Sequence, residues 1–199
     1  MAQWFFFMKK YVLMFMSLFV LVCSAKAQIK EEIQLSKERT EKLQALCDDY
    51  KQSGNANVDD YGEAVKSAAV YAIANSVQLE NMYKRQIGET QDGVTDVTIT
   101  KPTLEEWKSF ATTVAGETVN IKEATDKVQA AADEAKKLTE EASKEKNPLK
   151  AAKAAKTAKS ATAVVEFGNA AIPILLEEST AQAKAVNAII ETLKSGKNL

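Results

Sequence analysis

Two long stretches in the second half of the chain carry a seven-residue hydrophobic repeat. Between residues 103 and 145, Trp107, Val114, Ile121, Val128, Ala135 and Ala142 recur at that step. Phe110, Ala124, Ala131 and Leu138 fill the position three residues further on, with Glu117 as the polar exception. Between 147 and 194, Ala151, Ala158, Val165, Ile172, Val186 and Leu193 keep the same step, broken at Ser179. Ala154, Ala161, Gly168, Leu175 and Ile189 form its second series, broken at Gln182. Such a pattern lays an apolar seam along one side of a helix and predicts antiparallel coiled-coil packing of two long helices. Side chains in the seam are small around Asn147 and bulky away from it. The backbones are therefore expected to approach closely at a tip and to spread towards a base.

Local signals place the ends of these elements. Thr103 with Glu106 reads as a capping box, the threonine oxygen accepting an orphan backbone N–H while the glutamate reaches back. Asn147-Pro148 supplies an N-cap and a first-turn proline for the next helix. Upstream, Ile29, Ile33, Leu43, Leu46 and Tyr50 mark an amphipathic helix over about 29–52, ended by Ser53-Gly54-Asn55-Ala56-Asn57. A second runs from about Asp59 to Ile87. Its middle, Ala68 to Val77, is apolar almost all round and is expected to be the most buried part of the chain. Gly88 to Pro102 is non-helical, with Val94, Val97 and Ile99 able to form a short extended segment.

The lengths suggest a shape. A third helix of about 43 residues measures roughly 65 Å, against about 24 and 29 residues for the first two. The expected architecture is all-α: an antiparallel four-helix bundle from which a two-helix coiled-coil hairpin, about 134–160, projects. Pro173 removes a donor inside the fourth helix and is expected to kink it near Asn169.

The N-terminus reads as an export signal. Residues 1–27 contain no Asp or Glu; Lys9 and Lys10 precede a run from Tyr11 to Val22 that is apolar except for Ser17, and Ala25-Lys26-Ala27 follows. That order is a secretory signal peptide, with cleavage after Ala27 and translation expected to begin at Met8. The apolar run spans about 18 Å as helix, short of a bilayer core of roughly 30 Å. Residues 28–199 would then form a single helical domain in the periplasm or outside the cell, as expected of a bacterial secreted protein. Without Lys9, Lys10 and Lys26, that part holds 23 basic against 27 acidic residues, a net charge of −4. The mild acidity argues against nucleic acid as a partner.

Composition then narrows the chemistry. The chain has no histidine, which removes Ser-His-Asp and Cys-His relays together with His-ligated zinc and iron. Cys47 is the single cysteine of residues 28–199, and its place near Leu43, Leu46 and Tyr50 reads as core. Ser143-Lys144-Glu145-Lys146 matches Ser-x-x-Lys, but no companion motif accompanies it. The pairs Glu31-Glu32, Glu105-Glu106, Glu140-Glu141 and Glu177-Glu178 are sequence neighbours, which point about 100° apart on a helix and make no ready carboxylate dyad. No catalytic set, metal site or cofactor is expected.

Two features remain as candidate sites. Lys144, Lys146, Lys150, Lys153, Lys156 and Lys159 surround the predicted tip with Glu145 as the sole acid, a local balance of +5. Such a surface suits an envelope protein or an anionic surface, either lipid headgroup or polysaccharide. Glu117, Ser179 and Gln182 interrupt the seams, and reflection about Asn147 places residue 117 level with 177, so the three are expected to share a polar layer. The function these readings suggest is binding or scaffolding without catalysis. The alternative is a membrane-active, pore-forming type of helical protein, against which stand Glu166, Asn169 and Pro173 in the most apolar stretch, Ala161 to Leu176.

Overall fold

The computed structural model describes residues 25–89, 98–196 and 199. The expected export signal up to residue 24, the expected start at Met8 and the expected extended segment at Val94 and Val97 lie outside the described residues. Among the described residues the fold is all-helical: α1 spans Ala25–Asp49, α2 Ala56–Ile87, α3 Leu104–Lys144 and α4 Pro148–Lys194.

Capping explains where α2, α3 and α4 begin. Asn55 Oδ1 accepts from the N–H groups of Asn57 and Val58, so α2 starts three residues before the expected Asp59. Asp59 is thereby free to organise the α1–α2 turn, accepting from Ser53 N–H at 2.6 Å and Gly54 N–H at 2.9 Å. Gly54 has φ +83°, a left-handed conformation that glycine adopts without a Cβ penalty. At α3 the Thr103 N–H donates to Glu106 Oε2 at 2.7 Å and the Glu106 N–H donates to Thr103 Oγ1 at 3.2 Å. Asn147 Oδ1 caps α4 from the N–H groups of Leu149 and Lys150, with Pro148 in the first turn.

The helices pack as a bundle. α3 and α4 lie against each other, α2 touches both, and α1 rests on α2 and α4 without touching α3. The core has two parts. One gathers Leu43, Tyr61, Val65, Ile121, Phe167 and Leu175 with many alanines; the other gathers Leu79, Tyr83, Trp107, Phe110, Val186 and Ile189. Alanines such as Ala68, Ala72, Ala124 and Ala161 are frequent in the first part, while Trp107 and Phe110 pack edge to face in the second. Gly168 serves a close approach: a Cβ there would lie 2.0 Å from the Tyr61 hydroxyl oxygen.

The expectation of deep burial holds for one side of α2, which buries a larger share of its residues than α3 or α4. The middle of α2 buries Ala68, Ala69, Ala72, Asn75 and Ser76, yet Val70 is 54% and Val77 55% exposed. A helix touched by three neighbours keeps one side towards solvent, and apolar residues on that side stay there. α4 runs unbroken through Pro173, which is exposed.

Candidate functional site: a buried polar layer

Between the two parts of the core lies a polar layer to which all four helices contribute. Its centre is the Glu178 carboxylate on α4, fully buried. Arg39 Nε of α1 donates to Glu178 Oε2 at 2.6 Å. Ser36 Oγ and Gln182 Nε2, the latter at 2.7 Å, donate to Glu178 Oε1. Gln182 Nε2 also donates to the Ala72 carbonyl of α2 at 3.1 Å, and Ser36 Oγ lies 2.6 Å from Ser76 Oγ. The remaining Arg39 nitrogens reach Glu32 and, at 3.5 Å, the exposed Glu177. Burial pulls the Arg39 pKa down, but the bonds from Glu178 and Glu32 outweigh it and hold the guanidinium above its ordinary value.

A second carboxyl belongs to the layer. Glu117 of α3 is fully buried, and Asn75 Nδ2 of α2 donates to its Oε2 at 2.9 Å. Burial pushes this carboxyl up to about 7; the Asn75 bond opposes the shift and the charge of Glu178 adds to it. Glu117 Oε1 and Gln182 Oε1 are both buried without a hydrogen-bond partner. Beside them Thr118 Oγ1 and Ser179 Oγ lie 3.1 Å apart across α3 and α4.

Glu117, Ser179 and Gln182 thus occupy one layer, each through a different partner. Thr118 meets Ser179, a register shifted by about three residues from reflection at Asn147. Ser36, Arg39, Asn75, Ser76 and Glu178 are the members that periodicity missed. A signal for Arg39 was present: it and Arg85 are the only arginines in a lysine-rich chain, and arginine suits a buried multidentate pairing better than lysine does.

The six tip lysines are all exposed, and none joins an ion pair among the described residues. Lys84, Lys108, Lys122, Lys127, Lys137 and Lys194 elsewhere on the helices do. Leu149, among the tip lysines, is 86% exposed. Lys159 reaches from the tip to a groove of about 450 Å³ between the end of α1 and α4, lined by Leu46, Tyr50, Phe167, Lys51 and Glu166. The Tyr50 and Phe167 rings there are 4.9 Å apart, with Lys66 Nζ 5.3 Å from the Tyr50 centroid. Ser143 Oγ donates to the Glu140 carbonyl at 2.7 Å, a helix-end contact. Cys47 is buried, and burial pushes its thiol up.

Among the described residues no three Cys, Asp or Glu side chains gather as a metal site, and no helix is long and apolar enough to cross a membrane. The chain matches no protein-family model, no curated protein and no solved structure.

Proposed function

We propose that this chain is an exported helical binding or scaffolding protein without catalytic activity, which engages an anionic surface through the tip of a projecting hairpin. The observation carrying this reading is the set of exposed, unpaired lysines around Leu149. Clustered cations beside an exposed apolar residue suit phospholipid headgroups, the lysines meeting phosphate while the leucine enters the interface.

The hairpin reading rests on pairings along the helices. Asn55 reaches Glu134, Asp60 reaches Lys127, Asn75 reaches Glu117 and Gln86 reaches Trp107, so α2 and α3 are read as antiparallel. Thr118 beside Ser179, with Thr139 and Ala142 across a groove from Ala155 and Ala158, supports the same for α3 and α4. Beyond Ala135 on α3 and before Ala158 on α4 no residue is fully buried, as expected of a hairpin extending past α1 and α2. Residues 1–27 remain read as a signal peptide, with a periplasmic or secreted destination.

Cosedimentation with anionic phospholipid vesicles at low and high salt tests the reading. Binding is expected to fall at least about tenfold when salt is raised to several times physiological strength, and to be lost in a K150E/K153E/K156E variant. Failure to bind both vesicles and acidic polysaccharide, or binding indifferent to salt, would overturn it. Release of an encapsulated dye would instead favour the membrane-active alternative.

A further inference from the structure

The polar layer contains two fully buried carboxyl groups and one guanidinium. Arg39 directs its nitrogens to Glu178, Glu177 and Glu32, and none to Glu117. The groups around Glu117 can be taken helix by helix. From α1 come Arg39, spent on the other carboxylates, and Glu32. From α2 come the uncharged Asn75 and Ser76, and from α4 the buried Glu178 with Glu177 at the surface. On α3 itself the neighbour in the layer is Thr118. Glu117 therefore has a single neutral donor, and its nearest strong charge is negative.

The hydrogen-bond inventory points the same way. Two acceptors in the layer, Glu117 Oε1 and Gln182 Oε1, are buried without a donor. An ionised Glu117 adds an uncompensated charge to a layer already short of donors, an arrangement costly in a dry interior. A protonated Glu117 removes that charge and adds one O–H donor to the layer.

We infer that Glu117 is the proton-binding element of a brace across the bundle: its neutral form holds α2, α3 and α4 together at the polar layer, and release of its proton to solvent loosens them. The site takes a proton and no other ligand. Its effect is to make the tightness of the middle of the bundle follow the pH of the surroundings.

The sign follows from linkage. A carboxyl whose folded value of about 7 lies above its unfolded value of 4.5 binds protons preferentially in the native state between those limits. Stability from this group is therefore full at the acid end of that window and is lost as pH rises through the folded value. Urea unfolding of the purified protein, followed by circular dichroism from about pH 5 to 8, tests it. The unfolding constant is expected to rise by roughly one to two orders of magnitude across that range, and to stay level in E117Q, whose amide cannot ionise. A wild-type constant that stays flat or falls with rising pH would overturn the inference, as would an E117Q protein that keeps the wild-type slope. Should E117Q not fold, infrared spectroscopy of the wild type decides. A protonated carboxylic-acid carbonyl band at about pH 6, where exposed carboxylates are ionised, is expected to vanish by about pH 8; its absence at both values overturns the inference.

Discussion

Arg39 Nε donates to Glu178 Oε2 across the α1–α4 interface at 2.6 Å, with the Arg39 side chain 9% and the Glu178 side chain 0% exposed. α1 makes no contact with α3, so this pair sits where the first helix is tied to the rest of the bundle. A buried ion pair is costly to assemble and more costly to break on one side, because the survivor keeps its charge in a low-dielectric interior.

Arg39→Met and Glu178→Met are each expected to destabilise the protein by about 3–5 kcal/mol. The double variant is expected to recover part of that loss, since the buried Glu178 carboxylate and the guanidinium facing it are removed together, while Glu32 and Glu177 lie nearer the surface. A double-mutant cycle by urea unfolding measures the coupling; strictly additive losses would contradict it.

Gly168→Ala is expected to destabilise by about 1–3 kcal/mol, because the added methyl carbon meets the Tyr61 hydroxyl oxygen at 2.0 Å. The better helix propensity of alanine is worth only about 1 kcal/mol in return. Combining Gly168→Ala with Tyr61→Phe should relieve part of the clash, and thermal midpoints of the two variants test this.

Tyr61→Phe alone is expected to leave stability unchanged or to raise it. The Tyr61 hydroxyl is buried with no hydrogen-bond partner, and removing an unsatisfied polar group recovers its desolvation cost. A fall in urea midpoint beyond experimental error would show that the hydroxyl has a partner after all.

Gln86→Leu should cost about 1–3 kcal/mol, because the Trp107 indole N–H, which donates to Gln86 Oε1 at 2.9 Å, is buried and would lose its acceptor. Near-ultraviolet circular dichroism should report a changed environment for Trp107 while far-ultraviolet helicity persists.

The layer was only partly legible. Glu117, Ser179 and Gln182 stand out because each breaks a hydrophobic series, a short-range irregularity visible without any fold. Glu178 breaks nothing: it adjoins the seam position of Ser179 and looks like one of several exposed Glu-Glu pairs. It is buried because α4 packs against three helices and so presents a second buried face, through Val164, Ala171, Glu178 and Ala185, one residue out of step with the first. Arg39 and Ser36 lie on a helix whose charged pattern reads as ordinary surface. The arrival of α4, with α2 beside Ser36, makes them interior.

What the chain carried in its own letters was the helices, the caps of α3 and α4, and the apolar series along which those two helices touch. Caps act over three or four residues and a seam over seven, so neighbours along the chain suffice to encode them. Which side of α2 faces solvent, and which polar residues from four separate helices meet around Glu178, depended on long-range packing. Burial is decided by what lies opposite a side chain, and here the opposing residues are separated by up to 142 positions, as Ser36 is from Glu178.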